Sequence, residues 1–465
     1  MNGQKIKFNN AYLLSISMVS AMGGLLFGYD WVVIGGAKPF YERYFEITAY
    51  ADLQAWAMSS ALIGCILGAV ISGVLSDKLG RKRPLLLAAL LFTISAFGTG
   101  IADSFTVFIV YRIIGGLGIG LASALSPMYI AEVSPSQYRG RLVSLNQMTI
   151  VIGILAAQII NILIAETVPA GATDAFIRSS WNGITGWRWM FWAGAVPAVA
   201  FFIFIFFLPE SPRWLIKEGK GEAAYPTLKK IGGETYAQLE MKNIQATLND
   251  VSEKVDFKVL TNSKYRTVLF IGIVLAVFQQ WCGINIVFNY ADEIFTAAGY
   301  GVSDTLFNIV ITGSVNLIFT LVAMFTVDKW GRKKLMLLGS AGLAITYILL
   351  GSAFYFELKG IAVLFLVVLG IGVYAMSLAP ITWVILSEIF PNRIRGAAMA
   401  LATFALWIAC FILTYTFPLL NKGFGAAGTF WLYAVICILG FFFIRKKLPE
   451  TKGKSLEEIE NDLVK

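Results

Sequence analysis

Three sets of polar residues stand out from an otherwise apolar chain of 465 residues, and each suits a different kind of chemistry. The first is Asp30, at the end of the run GGLLFGYD, together with Arg112 inside FIVYRIIGGLGIG. An ionisable side chain in a long apolar segment is costly to keep there and marks function by default. Arg112 is the natural counter-charge, because a buried carboxylate without one is driven neutral. A carboxylate that pairs with arginine when ionised and releases it when protonated is a proton switch. With no histidine in the chain, proton chemistry must run through carboxylates. A competing reading puts Asp30 in the headgroup layer at the edge of a membrane, and the sequence alone leaves it open.

The second set is a group of uncharged amides, Gln279, Gln280, Asn285 and Asn289, in one apolar span, with Asn316 in the next. Gln279 and Asn285 are out of helical register, but Gly283 between them allows a bend that brings these groups to one cavity. Donors and acceptors without formal charge suit a polyhydroxylated ligand. Trp383, in APITW, adds an aromatic face for the apolar side of a sugar ring and an indole N–H to donate. Taken singly, any of these amides could be glue between helices, and Trp383 could be packing.

The third set is charged and written twice. Asp77, Gly80, Arg81 and Lys82 in DKLGRK return as Asp328, Gly331, Arg332 and Lys333 in DKWGRK. Glu132, Arg139 and Gly140 are matched by Glu388, Arg395 and Gly396, and Pro209, Glu210 and Ser211 by Pro449, Glu450 and Thr451. Two halves ending in the same motifs are the mark of a duplicated transporter. Glu132 with Arg141, Glu388 with Arg395 and the Arg81 and Arg332 clusters, with Glu210 and Glu450 as further acceptors, would form ion pairs that latch one side shut and part when it opens.

The elements that must position these groups follow from composition. At 57% hydrophobic and 14% charged, with a mean hydropathy of +0.72, the chain has too little polar surface for a soluble globule. About twelve stretches are long enough to cross a bilayer. They start near Tyr12, Leu53, Pro84, Phe105, Leu142, Trp189, Thr267, Thr305, Leu335, Ile361, Ala397 and Gly428. The lysines and arginines gather at the N-terminus and in every second connection, which puts both termini and the long central loop in the cytoplasm. The net charge of +9 is therefore topology and excludes a nucleic-acid partner. The first stretch has no small-residue cleavage site and reads as a retained helix.

The run Gly115, Gly116, Gly118 and Gly120 follows a helix and has no polar residue, so it reads as close helix packing rather than a phosphate loop. Cys65, Cys282, Cys410 and Cys437 show no metal-ligand spacing. In the central polar stretch, Glu222 to Ile231 and Tyr236 to Asn249 read as short amphipathic helices, and Ser455 with Glu458 fits a capping box. The organisation expected is a helical bundle over 1–208, a cytoplasmic linker over 209–265, a second bundle over 266–448 and a cytoplasmic tail over 449–465. No nucleophile–base pair in the polar stretches suggests an enzyme.

GGLLFGYD, DKLGRK, YRIIGGLGIG, PESPRW, FQQWCGIN, VDKWGRK, SEIFPNRIRG and PETKG, in this order along essentially the whole chain, resemble the sugar porter family of the major facilitator superfamily. The resemblance implies an all-α membrane protein of twelve helices in two pseudo-symmetric six-helix bundles. It implies alternating access and a monosaccharide bound at mid-membrane by Gln279, Gln280, Asn285, Asn316 and Trp383. Proton-coupled members carry an acid where this chain has Asp30, which favours symport. The chain departs from the family pattern where a sugar-binding glutamine is usual: Ile154 stands there, with Gln158 one turn on. Asn289 replaces the usual tyrosine, Leu406 the polar residue before Trp407, and Ala379 the glycine before Pro380. The expected function is a proton-coupled monosaccharide importer of a bacterial inner membrane, acting as a monomer and needing a proton gradient but neither metal nor cofactor. A facilitative uniporter is the alternative, and a transporter-like sugar sensor a more distant one.

Overall fold

In lipid every backbone polar group must be satisfied within the chain, so apolar runs of this length fold as helices. The computed structural model describes residues 7–169, 171–250, 260, 262–391, 394–452 and 458–459, with the side chains of 247–250 and 327–329 outside that description. The first half runs α1 (Asn10–Tyr44), α2 (Ala51–Leu79), α3 (Lys82–Ile101), α4 (Phe105–Val133) and α5 (Ser136–Ile164). A short α6 (Asp174–Ser179) and a π turn lead into α7 (Trp187–Ala193) and α8 (Ala195–Ile205), which together make one crossing. The connecting polar stretch folds as α9 (Pro212–Lys217) and α10 (Gly221–Asp250).

The second half holds α11 (Arg266–Trp281), α12 (Ile284–Asn289), α13 (Ala291–Ala297), α14 (Val302–Trp330), α15 (Arg332–Tyr355), α16 (Ile361–Met376), α17 (Leu378–Ile389) and α18 (Arg395–Lys447). Among the described residues eleven helical stretches are long and apolar enough to cross a membrane. The last, α18, turns at Gly425, whose φ of 68° no helix interior adopts, and so supplies two crossings. That completes the twelve expected.

Two crossings of the second half are broken. α11 ends before Gly283, which takes φ 86°, and α12 restarts at Ile284; a Cβ there would also come within 2.9 Å of the Tyr433 ring. α16 and α17 break at Ser377 (φ −127°, ψ −87°), just before Pro380. Broken helices at membrane depth survive where they line a cavity. The glycines of α4 do what their spacing suggested: a methyl on Gly116 would lie 1.8 Å from the Ala61 carbonyl oxygen, so α2 and α4 touch backbone to backbone.

The two amphipathic segments of the linker are present as the arms of α10, separated at Gly233 (φ 81°). Trp214, Leu228, Ile231, Tyr236 and Ile244 give them a small core of their own. Phe8 sits edge-on to both Tyr138 and Tyr236, and the Asn9 N–H donates to the Ile231 carbonyl at 2.8 Å, so the N-terminal segment ties α10 to α5. The capping box expected at Ser455 lies outside the described residues.

Candidate functional site

Asp30 lies deep in α1 and faces α4, where Arg112 Nη1 stands 3.1 Å from both carboxylate oxygens. The arginine side chain is 2% exposed and the aspartate 14%. Gly115, one turn along α4, lets Ser95 of α3 approach beside the pair: a Cβ there would lie 2.4 Å from Ser95 Oγ. The carboxylate is thus paired inside the helix bundle, in the arrangement that a proton switch would need. The face of the Phe191 ring closes over the guanidinium at 5.8 Å.

The bend at Gly283 joins three of the four amides, Gln279, Gln280 and Asn285, in one chain of hydrogen bonds. Gln279 Nε2 donates to the Tyr374 hydroxyl at 2.7 Å, Gln280 Nε2 donates to Gln279 Oε1 at 2.6 Å, and Asn285 Nδ2 donates to Gln280 Oε1. Asn285 also reaches Cys410 Sγ at 3.7 Å. The chain of bonds fixes the orientation of each of the three amides. Tyr374 on α16 and Cys410 on α18 were not legible as members; a tyrosine in an apolar run carries no signal that distinguishes partner from packing. Asn316 is buried on α14, and Asn289 is buried at the end of α12 with its Oδ1 unpartnered. Trp383 on α17 is the most open of the set, at 37% exposure.

Gln158 is 2% exposed, and neither its oxygen nor its nitrogen has a partner. Its oxygen sits 1.8 Å from where a Cβ on Gly313 of α14 would be, so the amide reaches across from the first half to the second. Ile154, one turn earlier, packs where α5 and α1 nearly touch: a methyl on Gly28 would lie 3.0 Å from the Ile154 nitrogen. Leu406 and Trp407 on α18 are both buried. Trp407 meets two aromatics that sequence reasoning passed over, Phe27 at 6.0 Å and Trp31 at 6.2 Å, both on α1. Their i, i+4 spacing around Asp30 was the available signal.

At the end of the bundle that carries the duplicated motifs, the pairing differs from expectation. Glu132 pairs with Arg81 at 2.7 Å and accepts from the Ser211 hydroxyl, while Arg141 is exposed on α5 and Arg139 donates to the Ala131 carbonyl. Glu388 pairs with Arg332 at 3.2 Å, and Arg395 Nε donates to the Phe390 carbonyl. These ion pairs lie within a half and not between halves. Each begins at a glycine with positive φ, Gly80 at 83° and Gly331 at 89°. The following helix N-terminus is capped from a distance: Glu210 accepts from the Arg81 N–H at 2.8 Å, and Glu450 from the Arg332 N–H at 2.8 Å. The repeated Pro-Glu motifs are therefore caps on α3 and α15. Asp77 pairs with Lys217 at 3.1 Å and ties α2 to α9; the Asp328 side chain lies outside the described residues.

Glu132→Gln removes the charge that a largely buried Arg81 faces. Unpairing a buried charge costs about 3–5 kcal/mol, so the variant is expected to unfold in detergent at a markedly lower temperature than wild type, while Arg141→Gln is expected to leave that temperature unchanged. Equal loss in both would restore the pairing read from spacing.

Residues 16–463 match the family model described as sugar (and other) transporter, and the chain belongs to that family. The D-xylose-proton symporter of Escherichia coli (strain K12) is 40% identical over 484 residues, covering 98% of this chain and 96% of the relative. The arabinose-proton symporter of Bacillus subtilis (strain 168) is 42% identical over 455 residues, with the same coverage of 98% and 96%. Among solved structures, the inward open conformation of the xylose transporter XylE from E. coli aligns with a TM-score of 0.83 at 39% identity, covering 97% of this chain and all of that one.

Proposed function

We propose that the protein imports a monosaccharide with a proton across a bacterial inner membrane by alternating access, with both termini in the cytoplasm and one chain as the working unit. The observation that carries this reading is the buried Asp30–Arg112 pair on α1 and α4 of the first half, with an ordered network of uncharged amides on α11 and α12 of the second. The first supports proton coupling, because neutralising Asp30 frees Arg112. The second supports a sugar, because the network offers donors and acceptors without charge. The names of the two symporter relatives point the same way. Lysines and arginines at the end bearing the duplicated motifs support a cytoplasmic placement of that end.

The test is uptake of labelled monosaccharides by reconstituted vesicles with and without an inward proton gradient. Accumulation above the external concentration, abolished by collapsing the gradient, is expected; equilibration without accumulation would assign a facilitative uniporter instead, and binding without uptake a sensor. Tyr374→Phe leaves Gln279 Nε2 without its acceptor, and about 1–3 kcal/mol should be lost from an ordered network, or roughly 5- to 150-fold in sugar affinity. A binding titration checks it; unchanged affinity would remove Gln279 from the site.

A further inference from the structure

Lys38 is the most unexpected residue of the bundle. It lies on α1 two turns beyond Asp30, is 2% exposed, and its ammonium touches two carboxylates: Glu42 at 2.9 Å and Glu293 at 2.6 Å. A buried ammonium is tolerated only when paired this closely. The two partners differ in kind. Glu42 is on the same helix, four residues on, and Gln54 of α2 donates to its other oxygen at 3.4 Å, so it travels with the first half. Glu293 is on α13, in the second half, directly after the broken helix that carries the amides.

We propose that Lys38 is a positioning residue of the outer gate, which by gripping Glu293 draws α13 onto α1 and sets how readily the site reopens to the outside. The proposal rests on the transport reading for which side is outer. Further contacts converge at this place. The Lys38 ammonium stands 5.9 Å from the Tyr290 ring, and the Tyr290 hydroxyl donates to the Thr414 carbonyl of α18 at 2.8 Å. Nearer the site, Gly35 lets α1 approach α12 until a Cβ there would lie 3.2 Å from the Phe288 carbonyl oxygen. The Val168 N–H donates to Ser303 Oγ across the halves at the same end. When α13 leaves α1, the Lys38–Glu42 pair persists and the Lys38–Glu293 pair breaks. Glu42 keeps the lysine charged and aimed in both states, and Glu293 is the part of the triad that senses the state.

The experiment reads distance without sugar. All four native cysteines are buried, so Tyr50→Cys and Leu358→Cys, exposed at the same end on opposite halves, take spin labels selectively. In reconstituted protein, Lys38→Met and Glu293→Gln are each expected to raise the ratio of long to short label distances at least about tenfold, the equivalent of losing one charge-assisted bond. Lys38→Arg is expected to keep the wild-type distribution. The exchange Lys38→Glu with Glu293→Lys preserves one cation and two carboxylates and is expected to restore it. If Lys38→Met does not fold, Glu293→Gln carries the test, since Lys38 still keeps Glu42. Unchanged distances in Glu293→Gln, or an exchange variant that folds but stays open, would overturn the proposal. Absence of sugar uptake in wild type would sink the transport reading while leaving this measurement valid.

Discussion

Vesicles containing Asp30→Asn are expected to lose all accumulation driven by a proton gradient while retaining sugar binding and exchange. Asparagine has the shape of the protonated acid, so Arg112, 2% exposed and 3.1 Å from both oxygens in the native pair, loses its counter-charge permanently. In the proposed mechanism the pair breaks when a proton neutralises Asp30, and that change would bias α1 against α4. Coupling requires both states, because a ligand shifts an equilibrium only by its differential affinity for them. The substitution holds one of the two. Exchange of labelled for unlabelled sugar at equal concentrations needs no net proton movement and should survive, since the amides belong to α11 and α12 and not to α4. The measurement is counterflow alongside uphill uptake in the same preparation. Uphill uptake at the wild-type level would remove Asp30 from the coupling mechanism; loss of counterflow as well would place it in the sugar site or in the fold.

Much of this arrangement was legible because it depends on local contrast. A carboxylate and a guanidinium in apolar helices have few other places to go, so Asp30 and Arg112 could be paired from their setting across a sequence separation of 82. Gly283 announced its bend because no other residue takes φ 86° without strain. The duplicated motifs were visible as repeats with Arg81 and Arg332 in the same cluster as Glu132 and Glu388, yet the individual pairs were misread. Glu132 and Arg141 are near in sequence, but they fall on either side of the turn between α4 and α5, and the helix packing delivers Arg81 of α3's N-terminus to Glu132 instead. Proximity along the chain is a poor guide where helices pack backbone to backbone.

Lys38, Glu42 and Glu293 escaped notice for a related reason. Near helix ends a lysine and a glutamate read as solvated or snorkelling charges, and only the tertiary structure shows that α13 folds back over them. Phe27 and Trp31 escaped because aromatics in apolar runs are common; their meaning comes from Trp407 on a helix of the other half.

The substrate preference is the sharpest consequence of the departures from the family pattern. Ile154 and Leu406 put apolar side chains where polar ones are usual, beside Gln158 and Trp407 respectively. On the proposed reading that both line the sugar site, a hydroxyl that would have met an amide at either point would meet a methyl group instead and lose about 1–3 kcal/mol per unpaired contact. The native sugar should therefore lack a hydroxyl at those points or turn an apolar face to them, as a differently configured pentose, a deoxy sugar or a ketose does. Trp31 adds a ring 6.2 Å from Trp407. D-xylose is thus expected to compete poorly for wild-type uptake. Ile154→Gln combined with Leu406→Gln supplies two amides, one on α5 in line with Gln158 and one on α18 beside Trp407, and is expected to raise the relative affinity for D-xylose or D-glucose by roughly 5- to 150-fold per contact made. The two sites lie on different halves, so their effects should add in the state that closes around the sugar. A competition series of monosaccharides against one labelled substrate, run on wild type, both single variants and the double, resolves it. A wild type that already prefers D-xylose, with a ranking that the double variant does not move, would show that Ile154 and Leu406 do not line the site.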